Sequence, residues 1–306
     1  MNNIIVTRIS NGLGNQLFQY AAAYALAKKL KRKLLIDNES AYFKKKDSLR
    51  NYELHNFNLS TQIVDQKYKF NNYLLDTKRK FLKKIDFLLT KKKFIIESKN
   101  QNKKTSYYNI KICNPHDILF MEGYYESFRY FEETELNIQN EFNFKNEELY
   151  SSNKYLEIIN NNSVVAITIR QNRYSEQKMK PNDIVEGKIK SDNFMQNTIN
   201  YINRAVNFFD KKINNPKYLI WSNDFCNLRQ HFNDSKFYFV LNENNKILND
   251  FYLLTKCKYF IVGPTSFGWW GAWLSKFKDK IILRPADNIL NPSNNFDFWP
   301  EKWISI

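Results

Sequence analysis

Ile9-Ser-Asn-Gly-Leu-Gly-Asn-Gln-Leu-Phe-Gln-Tyr-Ala-Ala-Ala-Tyr-Ala-Leu-Ala27 is the stretch whose reading decides the fold. The apolar run Ile4-Ile5-Val6 ahead of it has the make-up of a buried strand. Gly12 and Gly14 bracket a tight turn, and the alanine-rich run that follows is strongly helix-forming. Strand, glycine turn and helix leave unpaired backbone N–H groups and the positive end of a helix dipole around residues 12–16. Such a terminus receives anions, and Asn15 and Gln16 add neutral amides suited to a sugar or phosphate oxygen. Two other readings use the same residues. The glycines could serve turn geometry alone. A dinucleotide fold would account for Asp37 after the apolar run Leu34-Leu35-Ile36, although Leu17 stands where its third glycine belongs.

Working outward, 306 residues suit two α/β halves, and 43% apolar content supplies their cores. Cys113, Cys226 and Cys257 are odd in number and far apart, so they form no disulfide framework and no zinc motif. The sequons at Asn58, Asn161 and Asn233 are what an asparagine-rich chain produces by chance. No apolar run reaches spanning length, and the N-terminus lacks the layout of a secretion signal, which predicts an intracellular protein without a spanning helix.

The net charge of +16 calls for an anionic partner: nucleic acid, an acidic lipid surface or an anionic substrate. It concentrates in residues 78–104, where Lys78, Arg79, Lys80, Lys83, Lys84, Lys91, Lys92, Lys93, Lys99, Lys103 and Lys104 face only Asp86 and Glu97. Phe81, Ile85, Leu88 and Leu89 recur there at helical spacing. The segment reads either as a basic amphipathic helix for an anionic membrane or as a surface helix whose stripe packs on the core. Nucleic acid is not expected, because no helix-turn-helix, RRM or zinc-finger pattern occurs.

The first 60 residues read as βαβ, and 62–112 as a lysine-rich helical segment. Residues 118–131 read as a strand leading into an aromatic turn and a helix. A domain boundary is expected near 155, giving an N-terminal α/β domain, 1–155, and a C-terminal one, 156–306. Strands are expected at 164–169, 218–221, 237–240, 259–262 and 281–283, with helices at 191–212, 246–256 and 267–277. This alternation predicts doubly wound parallel sheets, whose ligands sit at the carboxyl ends of the strands.

Three strand ends in the second half carry polar chemistry. Arg170 and Arg173 follow the strand at 164–169, and guanidinium forks grip phosphate oxygens. The Ser222-Asn223-Asp224 turn offers either a helix cap or a carboxylate for the N–H donors of a purine. In Val262-Gly-Pro-Thr-Ser-Phe-Gly-Trp-Trp-Gly-Ala-Trp273, Thr265 and Ser266 open a helix N-terminus able to hold phosphate, and Trp269, Trp270 and Trp273 read chiefly as core.

Five segments resemble the bacterial α-1,2-fucosyltransferases of glycosyltransferase family 11. They are Gly12-Leu-Gly-Asn-Gln-Leu-Phe-Gln-Tyr20, Glu122-Gly-Tyr-Tyr-Glu-Ser127 with Tyr130-Phe131, the strand with Arg170, Ser266-Phe-Gly-Trp-Trp-Gly-Ala-Trp-Leu274, and Trp299-Pro-Glu-Lys-Trp-Ile304. The resemblance implies a GT-B fold of two Rossmann-like domains facing a cleft. It also implies inverting, metal-independent transfer of a deoxy sugar, with fucose favoured, from a GDP-sugar to a glycan hydroxyl. No Asp-x-Asp occurs in the chain, and no cofactor is expected besides the donor substrate.

On that model Arg170 neutralises the leaving diphosphate, and Thr265, Ser266 and Phe267 line the donor site with Thr168 and Arg173. Asp224 faces the guanine, and Gly14, Asn15 and Gln16 meet the β-phosphate from the other domain. Glu126 is the candidate base. The acceptor would be a glycan or lipid-linked oligosaccharide of capsule or O-antigen type, met at the inner face of the plasma membrane.

The chain departs from the family's His-x-Arg-Arg-x-Asp-Tyr motif, which here reads Thr168-Ile-Arg-Gln-Asn-Arg-Tyr174. The family's Asn-Ser-Ser-Phe-Ser reads Pro264-Thr-Ser-Phe-Gly268, and its Asp-Asp reads Asn223-Asp224. These donor-side changes leave open another 6-deoxy sugar, a heptose, or a sugar-nucleotide-binding protein with impaired catalysis.

Overall fold

A computed structural model describes residues 3–44, 50–89, 93–97, 107–110, 116–174, 181–241, 247–286 and 297–306. Cys113 and the lysines Lys91, Lys92, Lys99, Lys103 and Lys104 lie outside these residues. The chain divides into two compact units, Met1–Asn146 with Asn295–Phe298, and Glu147–Asn294 with Trp299–Ile306.

The first unit runs β1 (Ile4–Arg8), α1 (Leu13–Lys29), β2 (Lys33–Asp37), β3 (Gln62–Ile63), α2 (Tyr73–Leu88), β4 (Phe94–Ile96), β5 (Ile118–Glu122) and α3 (Glu135–Glu141). Its sheet has the order β3-β2-β1-β5-β4, and all its pairings are parallel. Ile4, Ile5 and Val6 are covered on both faces, as an unbroken apolar run requires of a central parallel strand. The small residues Ala21, Ala22, Ala23 and Ala27 of α1 are also buried, so this helix packs on nearly every side.

The second unit runs α4 (Glu148–Ser151), α5 (Lys154–Asn161), β6 (Val164–Ile169), α6 (Pro181–Lys212), β7 (Lys217–Ser222), α7 (Leu228–His231), β8 (Phe237–Phe239), α8 (Ile247–Thr255), β9 (Tyr259–Ile261), α9 (Ser266–Leu274), β10 (Ile281–Arg284) and β11 (Ile304–Ser305). Its parallel sheet has the order β11-β10-β9-β6-β7-β8. Residue 155, near which the sequence places the boundary, lies inside α5. Tyr155 Oη donates to the Phe239 carbonyl at 3.0 Å and accepts from Leu241 N–H at 2.9 Å, both within the second unit.

Two helix ends differ from expectation. α6 starts at Pro181 rather than 191; proline suits the first position of a helix, where no N–H is needed. α9 stops at Leu274 rather than 277, because Lys280 Nζ donates to the carbonyls of Ala272, Trp273 and Ser275 and satisfies the helix end. Trp269, Trp270 and Trp273 are fully buried, Trp269 stacking on Trp273 and Trp270 meeting both edge-on, and Trp303 packs on Trp269 at 5.3 Å. They are core, and the terminal Trp299–Ile304 motif closes over them.

The stripe on α2 does not pack on the core. The buried positions of this helix are Asp76, Arg79 and Asp86, while Phe81 and Leu88 stand in solvent. Arg79, counted in the sequence among the free basic residues, instead pairs with Asp76 and Glu122.

Candidate active site

In the second unit the chain runs outward from β6 through β7 to β8, then returns to the far side of β6 at β9. Open α/β sheets bind ligands outside the carboxyl ends of the strands at such a reversal. The turns after β6 and β9 meet there. Arg170, half-buried, is the first residue beyond β6. Thr265 caps α9, its Oγ1 accepting from Gly268 N–H at 3.2 Å, and Ser266 is the first helical residue. Beneath them Thr168 Oγ1 accepts from Gly263 N–H at 3.0 Å. A Cβ on Gly268 would lie 2.3 Å from Thr168 Oγ1, and one on Gly263 would lie 2.6 Å from the Thr168 carbonyl oxygen. The two turns are therefore in direct backbone contact, and glycine is required at both places.

Several expected ligand groups also have structural duties. Arg173 Nη1 donates to the Pro264 carbonyl at 2.7 Å, and its guanidinium lies 5.3 Å from the Phe194 ring. It braces the β9 turn. Thr168 is buried, so its hydroxyl supports Gly263 and does not line a ligand surface. Phe267 packs its ring on Phe251 at 5.4 Å. Asp224 Oδ1 accepts from Cys226 N–H at 2.9 Å, and Oδ2 accepts from Asn172 Nδ2 at 3.2 Å. The Cys226 N–H, chief among its donors, holds this carboxyl below the ordinary aspartate range. Asp224 thus stabilises its own turn.

Gln171, which replaces an arginine of the family motif, joins the ends of β6 and β7. Its backbone N–H donates to Asn223 Oδ1 at 2.8 Å, and its Nε2 donates to the carbonyls of Asp224 and Cys226. Beside it lies a cavity of about 200 Å³ lined in part by Gln171, Ser191, Asp192, Asn227 and His231. That is below the roughly 300–1,000 Å³ usual for small-molecule pockets.

The first unit has the matching reversal. Its chain runs outward from β1 to β2 and β3, crosses to the opposite edge at β4, and comes back beside β1 at β5. The turn after β1 is the glycine turn, and the turn after β5 holds Glu126. Gly12 is the N-cap of α1 without a side-chain cap, its carbonyl accepting from Asn15 and Gln16 N–H. Gln16 is fully buried; Nε2 donates to the carbonyls of Asn11 and Asn51, and Oε1 accepts from Glu53 N–H. This amide is consumed by the fold and is not offered to a ligand. Gln19 does similar work, accepting from Ser10 N–H at 2.8 Å and donating to Ser10 Oγ. Together they hold the turn that presents Gly14, buried in the first turn, and the half-buried Asn15.

The turn around Glu126 is held from outside. Glu97 accepts from Tyr124 N–H at 2.6 Å and Tyr125 N–H at 2.9 Å, and Asp297 accepts from Ser127 Oγ at 3.0 Å. A Cβ on Gly123 would meet Glu97 Cβ at 2.4 Å, so glycine lets the turn lie against that carboxylate. Glu126 itself is half-buried beside β5. Sequence reading missed Gln19, Glu97, Gln171 and Asp297 as supports. Gln19 lies seven residues beyond the N-cap and on the helix it presents, whereas Glu97 and Asp297 act across long sequence separations. Among the described residues no group of three or more His, Cys, Asp or Glu side chains is placed to hold a metal ion.

The Glycosyl transferase family 11 model matches residues 4–304, which spans both reversals and every turn above. The chain belongs to glycosyltransferase family 11. It is therefore a glycosyltransferase, as its motifs imply. Full-length relatives include the O-antigen biosynthesis glycosyltransferase WbnK of Escherichia coli, 24% identical over 97% of this chain and 99% of the relative. An alpha-1,2-colitosyltransferase, also of Escherichia coli, is 27% identical over 99% of each chain. Among solved structures, NodZ alpha-1,6-fucosyltransferase soaked with GDP-fucose superposes with a TM-score of 0.54 at 14% identity, covering 92% of this chain and 97% of that one. A mutant of Arabidopsis thaliana FUT1 in complex with GDP gives 0.53 at 12% identity, covering 99% of this chain and 76% of that one. These likenesses bear out the GT-B fold class, with a parallel sheet in each unit.

Proposed function

We propose that this family 11 enzyme transfers a deoxy sugar, with fucose favoured, from a GDP-sugar to a hydroxyl of a cell-surface glycan, inverting the anomeric centre. The observation that carries the reading is Arg170, first beyond the central strand β6 at the chain reversal, two residues after the Thr168 that ties this turn to Gly263 and to Gly268 in the Thr265-capped first turn of α9. As the sugar–phosphate bond breaks, negative charge grows on the β-phosphate, and a fixed guanidinium and helix N–H groups stabilise that charge more than the ground state. In the first unit, Gly14 and Asn15 are assigned to the donor phosphate. Glu126 is assigned as the base that takes the acceptor's hydroxyl proton. The names of the relatives support a GDP-sugar donor and an O-antigen type of acceptor; that the acceptor is a lipid-linked glycan met on the cytoplasmic side is part of the proposal.

A second donor reading has an observation behind it. Thr168, Gln171 and Arg173, at positions where the fucosyltransferase motif differs, are all built into the turns, and one relative is named for colitose. The donor pocket beside Arg170 is thus shaped by residues other than the usual ones. A turnover panel of GDP-fucose, other GDP-6-deoxy sugars, GDP-heptose and UDP-sugars separates these readings. Preference for any GDP-deoxy sugar upholds the proposal, and preference for UDP-sugars overturns it. Arg170→Ala is expected to lower kcat roughly 10²–10³-fold with the melting temperature unchanged. Near-normal kcat would remove Arg170 from the chemistry.

A further inference from the structure

α2 is an inside-out helix. Its inner face is ionic: Asp76 accepts from Arg79 Nη2 at 2.7 Å, and Glu122 at the end of β5 accepts from Arg79 Nη1 and from Lys83 Nζ at 2.6 Å. Asp86 ends the helix by accepting from the backbone N–H groups of Lys93 and Phe94. Only Leu75 and Leu82 on the flank reach the apolar cluster around Val64, Phe70 and Phe120. The opposite face carries Leu74, Phe81 and Leu88, 85%, 62% and 81% exposed. At 100° per residue these three, spaced by seven, lie within about 40° of one another and form a ridge of about 21 Å. Ile85 widens the ridge, and the exposed Lys78 and Lys84 border it on either side.

A helix facing water presents the reverse pattern, and large side chains exposed in line mark an interaction surface. The ionic face fixes which side points outward, so the exposed ridge is a consequence of how the helix is anchored. We propose that the outer face of α2 is a docking surface for an anionic lipid bilayer, with Leu74, Phe81 and Leu88 entering the headgroup–acyl boundary and Lys78 and Lys84 meeting lipid phosphates. The bordering lysines select an anionic bilayer as occupant, since each lysine near such a surface is worth roughly fivefold in partitioning. Among the described residues no helix is long and apolar enough to cross a membrane, so α2 lies on the surface rather than through it. The inference rests on this face alone and is independent of which sugar is transferred.

The test is co-sedimentation of the full chain with phosphatidylglycerol–phosphatidylcholine vesicles and with pure phosphatidylcholine vesicles, at low and at high salt. The expected result is binding to the anionic vesicles that weakens with salt. Phe81→Ser/Leu88→Ser and Lys78→Gln/Lys84→Gln should each lose binding by more than about tenfold, with melting temperature and activity on a soluble acceptor unchanged. Equal binding of wild type to both vesicle types, or variants that bind as wild type does, overturns the proposal. So does a wild-type dimer in solution that Phe81→Ser/Leu88→Ser dissociates, since the ridge would then be covered by a second copy of the chain.

Discussion

At Thr168 the turn after β6 and the turn after β9 share one small volume: the hydroxyl serves Gly263, and Gly268 leaves room for the side chain. Gly268→Ala forces its methyl onto Thr168 Oγ1 and should cost about 1–3 kcal/mol in denaturant unfolding, as overpacking does. In a Thr168→Ala background the added cost should shrink, because the oxygen and γ-methyl are gone and only the Cβ contact at 2.9 Å remains. Additive costs would show that the two positions do not meet. Two neighbouring amides on α1 make a sharper pair. Gln16→Ala strands the Glu53 N–H and two carbonyls around the buried Gln16 side chain, which should lower stability by about 1–3 kcal/mol. Asn15→Ala should raise the donor KM while leaving the melting temperature in place. The reverse assignment of these effects would return Gln16 to the ligand site. The sequence alone cannot separate them, since both are helix-N-terminal amides one residue apart. Which of them turns inward depends on a loop at residues 51–53 brought there by the fold.

On the scale of elements, the strands and helices announced by period were legible: β1 and β6 by unbroken apolar runs, α1 by alanine, α9 by its hydroxyl cap and tryptophans. α2 was legible as a helix but not in its orientation. The partner that draws its charged face inward, Glu122, lies 43 residues from Arg79, on strand β5. The cluster sets a pH dependence. Burial alone would raise the Asp76 and Glu122 carboxyls, but Lys44, Arg79 and Lys80 around the first, and Arg79 and Lys83 around the second, outweigh it and hold both below their ordinary values. A carboxyl depressed on folding contributes stability that is present above its unfolded pKa, near 4, and is lost as pH falls through the folded value. The first unit should therefore lose stability as pH drops below about 5, with the loss continuing below 4. Arg79→Met leaves Glu122 buried beside one cation fewer and should cost about 3–5 kcal/mol at neutral pH while flattening the acid limb. Urea titrations across this pH range measure both, and an unchanged acid limb in Arg79→Met would place the pH dependence elsewhere.

For the whole molecule, the notable feature is that the chain leaves the first unit after Asn146, returns for Asn295–Phe298, and leaves again. The return is short but bonded. Asp297 Oδ2 accepts from Tyr107 N–H at 2.7 Å and from Ser127 Oγ at 3.0 Å, and Phe298 is buried against Phe18 of α1 at 6.0 Å. Through Ser127 and α1 the segment braces both turns that carry Glu126 and Asn15. Trp299, the next residue, belongs to the second unit and packs on Trp303 at 5.7 Å. A residue near the C-terminus thus supports a site element encoded far upstream, which no local pattern in the sequence could reveal. Asp297→Ala removes the acceptor of Ser127 Oγ in the Glu126 turn and of Tyr107 N–H, and leaves the second unit's bonds intact. Amide hydrogen exchange should then quicken across residues 124–131, where opening becomes easier, while β6 and β7 keep their protection. Activity should fall with it, as a base that must stay within hydrogen-bond reach of the acceptor hydroxyl loses its fixed position. Exchange that quickened equally in both sheets would mean that Asp297 supports the chain as a whole, and exchange unchanged at 124–131 would mean that Glu97 alone holds the turn.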